Sequence, residues 1–268
     1  MPQIPEDLMQ ALIQMTGQSR ANIEQMLQSQ MWETSGRWTA KSGNSSKGGV
    51  VRKPAYTQDE YPHYLPAVRV QKYTLRITLR RITPAIWRKV DVPSNITLRH
   101  LGDLILDLMG WGGWHLNQFR KGNVYYMPYY QRESSGESDF VWDCENLNQE
   151  EYTIADLLTE KGRSVVFEYD FGDSWEHEVR LSSVNEYADG EAQEIVFIDG
   201  KRCCPPDDCG GSWGYEDLLE LLSKRKAGKR LSSEERERLE WFGLDKNYNP
   251  EALDLNACKR VVKMFNGR

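Results

Sequence analysis

Asp170, Asp173 and His177 fall within one short stretch, Tyr169-Asp170-Phe171-Gly172-Asp173-Ser174-Trp175-Glu176-His177-Glu178. A second stretch, Cys203-Cys204-Pro205-Pro206-Asp207-Asp208-Cys209-Gly210-Gly211, adds two carboxylates and three thiols. Carboxylate, imidazole and thiolate are the groups that hold divalent metals and move protons in hydrolysis, whereas packing alone does not call for them. Metal-assisted hydrolysis would require Asp170, Asp173, Asp207, Asp208 and Cys209 to converge on one ion. His115, after Gly112-Gly113-Trp114, is less constrained and reads either as lining a cleft or as a turn residue donating to backbone.

The elements that carry these residues restrict what they can do. Matching the apolar residues Val165, Phe167 and Tyr169 with Trp175, Val179 and Leu181 in a hairpin demands a loop of odd length, with Gly172 expected at positive φ. His177 then falls on the core face opposite Phe167, so it reads as a ring hydrogen-bonded to a carboxylate or carbonyl before it reads as a metal ligand. Asp170 points to the other face or into the loop. Pro205-Pro206-Asp207-Asp208 reads as a rigid loop whose carboxylates cap turns or the helix expected from about Tyr215. Cys203, Cys204 and Cys209 lack a second Cys-x-x-Cys, so a structural zinc would have to borrow Cys144 or His115.

Other chemistries find no support. Asp170-Phe171-Gly172 matches the magnesium-binding triplet of kinases, but no glycine-rich loop and no His-Arg-Asp catalytic loop accompany it. No nucleophile elbow or phosphate-binding glycine loop is present.

Around the two stretches, periodicity divides the chain in three. Residues 1–35 carry apolar side chains at helical spacing, Leu8, Leu12 and Met15, then Ile23, Met26, Leu27 and Met31, and read as a helical hairpin. Residues 36–69 include a Gly, Ser and Lys-rich run and read as a flexible linker. Residues 70–268 form the main domain. Its opening strand alternates Tyr73, Leu75, Ile77 and Leu79 with polar partners; a second strand runs through Ile86, Arg88, Val90 and Val92; a helix capped near Thr97 ends at Gly110. Strands follow around Phe119 and Tyr125-Tyr126, then an acidic loop from Glu133 to Asp143, a short helix near Thr153 to Leu158, the hairpin and a strand near Glu194 to Ile198. Three helices close the chain, at Tyr215 to Leu222, Ser233 to Phe242 and Pro250 to Phe265, the last with Asn249 as cap. The fold class is α+β, with a mainly antiparallel sheet and late helices.

Composition narrows the function. A formal net charge of −6 excludes a protein that coats nucleic acid without regard to sequence. A local basic stripe, Arg76, Arg80, Arg81, Arg88 and Lys89 beside Trp87 on the first hairpin, reads as a solvated sheet face before it reads as a single-strand binding site. Five cysteines in 268 residues do not make a disulfide framework, and the first residues resemble no signal peptide, so a reducing cytoplasmic setting is expected. No stretch approaches membrane-spanning length. Nine Trp and thirteen Tyr suit a surface that recognises something.

Taken in order, Tyr73 to Leu79, Pro84-Ala85-Ile86-Trp87-Arg88, Gly110-Trp111 with His115, Tyr169 to Asp173 with Trp175 and His177, and Pro205 to Gly211 with Gly214-Tyr215 resemble the plasmid pRiA4b Orf3-like family. Some of its members are TnpR-type passenger proteins of insertion elements. The resemblance implies a strand-strand-helix opening like that of the β-grasp arrangement and an association with mobile elements. It does not imply resolvase chemistry. The expectation is a cytoplasmic, non-catalytic binding or adaptor protein with an unidentified protein or nucleic-acid partner and no cofactor. Its recognition surface is expected to include His115, Asp170, Asp173, Trp175, His177, Asp207, Asp208 and Tyr215. The alternative is a metal-dependent hydrolase, acting on nucleic acid, with a divalent ion at Asp170, Asp173, Asp207, Asp208 and Cys209.

Overall fold

The structure, a computed structural model, describes residues 60–134, 145–242, 244 and 248–267. The amino-terminal helical pair, most of the expected linker and acidic loop, and Cys144 lie outside these residues. Among the described residues no helix is long and apolar enough to cross a membrane.

The alternating residues of the opening segment form β1 (Gln71–Leu79), which pairs antiparallel with β2 (Trp87–Pro93). Leu75, Ile77 and Leu79 share one face with Val90 and Val92, and all are buried. The chain then enters α1 (Leu98–Met109), where the Thr97 side chain accepts from the His100 N–H and Gly110 ends the helix at φ 82°. Both caps are those the sequence predicts, because a hydroxyl satisfies an orphan N–H and only a residue without Cβ takes the left-handed turn cheaply.

Two short strands, β3 (Asn117–Lys121) and β4 (Val124–Met127), lead to α2 (Tyr129–Ser134) and β5 (Glu145–Asn148). Neither α2 nor β5 is foreseen in the sequence, and β5 supplies the sheet's parallel pairing, with β4. A turn of 3-10 helix (Gln149–Glu151) and α3 (Ile154–Leu157) precede the hairpin of β6 (Ser164–Tyr169) and β7 (Trp175–Glu186). β8 (Val196–Lys201) completes an eight-stranded sheet of order β5-β4-β3-β6-β7-β1-β2-β8. Helices α4 (Gly211–Lys226), α5 (Ser233–Trp241) and α6 (Leu255–Asn266) follow. The fold is α+β.

The last helix corrects one expectation. Asn249 does not cap it; its side chain accepts from Glu251 N in a turn, and Asp254 caps α6 by accepting from Asn256 N and Ala257 N. Residues 61–65, counted with the linker in the sequence, are docked: Thr97 donates from its hydroxyl to Pro62 O at 2.8 Å, and Leu65 N donates to Asn95 O at 3.0 Å. The His63 and His100 rings stack with centroids 4.0 Å apart.

The sheet's apolar face meets α1 and α6 in one core, and its other face carries the expected basic stripe. There Arg76 lies 4.0 Å from the centre of the Trp87 ring. Arg80, Arg81 and Arg120 converge on Glu176 at 3.1, 3.4 and 3.0 Å. Arg88 is absent from that stripe: it shares parity with Val90 and enters the core, fully buried. Its guanidinium donates to Leu108 O at the end of α1 and to the carbonyls of Trp87, Lys201 and Arg202.

Candidate functional site

The β6–β7 register follows from the apolar pattern: Val165 pairs with Val179, Phe167 with His177, and Tyr169 with Trp175. Five residues, Asp170 to Ser174, make the turn. Positive φ falls on Asp170 and Ser174, both at 54°, and not on the expected Gly172. The Asp170 side chain explains the difference. Its Oδ1 accepts from Gly172 N at 2.9 Å and Asp173 N at 3.3 Å, a local bonding pattern that lets aspartate tolerate the left-handed region.

The second loop is clamped to this turn. Asp173 Oδ2 accepts from Gly210 N at 3.0 Å. A Cβ on Gly211, whose φ is 67°, would lie 2.6 Å from the Asp173 carbonyl oxygen, so the Gly210-Gly211 pair is what allows the two backbones to touch. Helix α4 begins here, at Gly211, with no side-chain cap. The expectation that Asp207 or Asp208 caps it is therefore not met, because both carboxylates turn toward His115 and Tyr169.

His115 stands between the loops. Its Nε2 lies 2.9 Å from Asp208 Oδ1 and 3.9 Å from Asp170 Oδ2. Its pKa is pushed up to about 9, chiefly by the hydrogen bond to Asp208, against burial and with help from the charges of Asp208, Asp170 and Asp207. Asp208 is held below the usual carboxylate range by the same bond. Asp207 behaves oppositely: it is buried, accepts from the Tyr169 hydroxyl at 3.1 Å, and is pushed up to about 6 by desolvation, against the pull of His115.

Among the described residues, the ligand atoms that lie within 4.8 Å of one another are those of His115, Asp170 and Asp208. Asp173 and Cys209, named with them in the sequence, are spent elsewhere. Asp173 bonds Gly210, and Cys209 is buried with its thiol pKa raised by burial. Cys203, Cys204 and Cys258 are likewise buried, free thiols.

Trp175, His177 and Tyr215 lie beneath the surface, each at most 1% exposed. Trp111 joins them: its ring stacks on Tyr169 at 5.4 Å, leans on Trp175 at 5.5 Å and His177 at 5.3 Å, and its indole N–H donates to Pro205 O at 3.0 Å. This aromatic layer supports both loops. Trp87 takes no part in it, being on the other sheet face. Phe171 at the turn tip, Leu116 beside it and Trp213 in the first turn of α4 remain 41%, 39% and 85% exposed. The sequence carries a signal for Trp213, a large ring set among small residues in Gly210-Gly211-Ser212-Trp213-Gly214, where nothing local can cover it.

His177 provides a pH test of this layer. Its Nδ1 faces Phe167 O at 3.2 Å and burial lowers its pKa from 6.5 to about 4. Between those values the unfolded chain binds a proton that the folded chain refuses, so stability rises with pH across the window and falls as pH drops. The loss from pH 6.5 to 4 is expected to reach about 3 kcal/mol at about 1.4 kcal/mol per unit. Urea unfolding of wild type and His177→Gln over this range should show the variant's slope shallower by up to one proton. Equal slopes would place the titration elsewhere.

Residues 71–257 match the model of the plasmid pRiA4b ORF-3-like protein family, which spans most of the chain and every residue of the two loops. The chain belongs to this family. It is 29% identical over 189 residues to the uncharacterized protein y4hQ of Sinorhizobium fredii, covering 70% of this chain and 89% of that one. It also resembles the crystal structure of MM3350 from Methanosarcina mazei Go1, a protein of unknown function, with a TM-score of 0.57 and 27% identity over 71% of this chain and 97% of that one. Neither name states an activity for the relative that carries it.

Proposed function

We propose that the chain is a non-catalytic binding protein whose recognition surface is the meeting of the Asp170–Ser174 turn with the Pro205–Gly211 loop. The partner on this reading is a protein segment that lays an apolar side chain on Phe171 and Trp213. One observation carries it: two loops converge on His115 while large apolar rings at their rims stay in solvent, a combination that costs a lone protein and benefits a complex. The family takes its description from a plasmid protein, which supports reading the chain as a mobile-element passenger, and its five cysteines, no disulfide framework, suit a partner met in the reducing cytoplasm.

The hydrolase alternative has one observation in its favour, the Asp207 carboxyl poised near neutrality. Against it, Asp173 and Cys209, two of the ligands it requires, are taken up by the Gly210 N–H and by burial.

Selection of displayed peptides on the immobilised, chelator-treated chain tests the proposal. Selected peptides should carry an aromatic or aliphatic anchor and bind Trp213→Ala and Phe171→Ala at least tenfold more weakly than wild type. Trp241→Ala, which removes another exposed ring on α5, should leave binding unchanged. Equal affinity for all the variants, or no selected binder, would overturn this reading.

A further inference from the structure

We infer that His115 Nε2, Asp170 Oδ2 and Asp208 Oδ1 form a divalent transition-metal site, with the buried Asp207 beside it. This rests on the recognition surface proposed above and names its inorganic ligand.

The geometry comes first. Two ligands of one ion with bonds of about 2.1 Å stand roughly 3 to 4.2 Å apart, the range from adjacent to opposed octahedral positions. His115 Nε2 lies 2.9 Å from Asp208 and 3.9 Å from Asp170, and the donors' 4.8 Å limit leaves only small side-chain rotations to close the set. Each donor comes from a different segment held by its own backbone contacts. Asp170 N donates to Leu116 O at 2.9 Å and Gly210 N to Asp173 Oδ2, so the loops are fixed before any ion arrives.

A second observation is independent of these three. Asp207 is 5% exposed, and its buried Oδ1 makes no well-formed hydrogen bond, the Gly112 N–H being the backbone donor that faces the carboxylate. Its other oxygen holds the Tyr169 hydroxyl, the Tyr169 ring lies 5.6 Å from that of His115, and the Asp207 carboxylate feels the charges of His115 and Asp208. A buried carboxylate oxygen without a well-formed hydrogen bond is costly, and a nearby cation relieves that cost.

The donor set selects the ion. Imidazole with carboxylates suits Zn²⁺ or Mn²⁺, whereas Mg²⁺ and Ca²⁺ prefer oxygen alone. Asp208 is exposed, so the remaining coordination positions face solvent and are open to water or to a donor from the partner.

Calorimetric titration of untagged protein, stripped with chelator and then dialysed, reads the site directly, with Zn²⁺, Mn²⁺ and Mg²⁺ as the probes and no peptide present. One ion per chain is expected, with Zn²⁺ or Mn²⁺ at least tenfold tighter than Mg²⁺. His115→Gln, Asp170→Asn and Asp208→Asn should each weaken binding at least tenfold, while Asp189→Asn, on the exposed β7–β8 loop, should not. Thermal melts of each variant establish that it is folded; should Asp170→Asn unfold through loss of its turn, His115→Gln and the Mn²⁺ spin-resonance spectrum of wild type still decide. No saturable binding, binding only at millimolar metal, or binding indifferent to His115→Gln would overturn the site. Peptide selection on chelated protein is a separate arm: binders without metal affinity would overturn the metal site and keep the recognition surface, and metal without binders would do the reverse.

Discussion

Arg88→Met is expected to destabilise the fold by about 3 to 5 kcal/mol, because it leaves buried carbonyls without their donor while keeping most of the side-chain volume. Arg88 is fully buried, and no carboxylate is among the partners its guanidinium bonds. The charge is met by carbonyl dipoles. One belongs to Leu108 at the negative end of α1, at 3.0 Å, and others to Lys201 at the end of β8 and Arg202 just past it, at 3.2 and 3.1 Å. A single side chain thereby ties strand β2, the end of α1 and the start of the Cys203-Cys204 loop. Arg88→Lys should recover only part of the loss, since an ammonium cannot reproduce a forked set of bonds. Urea unfolding monitored by circular dichroism measures both. A cost below about 1 kcal/mol for Met would mean that the carbonyls find other donors.

Trp175→Ala is expected to cost about 3 to 5 kcal/mol through the cavity it opens. The ring is 1% exposed and lies against Trp111, under the turn that carries Asp170 and Asp173. Trp175→Phe should cost far less, about 1 kcal/mol, because the indole N–H it removes is buried without a partner. Thermal unfolding separates the two, with the Ala variant melting well below the Phe variant. If Ala and Phe destabilised equally, the energetic contribution would lie in the indole nitrogen and not in packing.

The two residues show where reading the chain by pattern succeeds and where it fails. Strand parity in Ile86, Arg88, Val90 and Val92 already puts Arg88 on the apolar face. Its charge argues for solvent, and only the carbonyls gathered at the end of α1 reverse that argument. The Trp175 position follows from the hairpin register, which one-residue slippage would have broken by exposing Val165, Phe167 and Tyr169 together. By contrast, Gly172 looked like the residue of positive φ because glycine is the usual one. Asp170 takes that role through side-chain bonds to Gly172 N and Asp173 N that no composition rule reveals.

What the sequence by itself determined about this protein is local. The Thr97 and Gly110 caps, the faces of β1 and β2, the pairing of Phe167 with His177 and the α+β class all follow from side-chain period and backbone freedom, which act over a few residues. The candidate site is of another kind. Residues 115, 170 and 208 sit in three separate segments, and their donor atoms meet only because the sheet sets β3 beside β6 and the Gly210-Gly211 backbone closes on Asp173. The burial of Tyr215 and the exposure of Trp213, two residues apart on one helix, depend likewise on which side of α4 meets the core. Contacts between distant segments are settled by packing of the whole chain, and for that reason the tertiary structure alone decided which of the conspicuous carboxylates share a site.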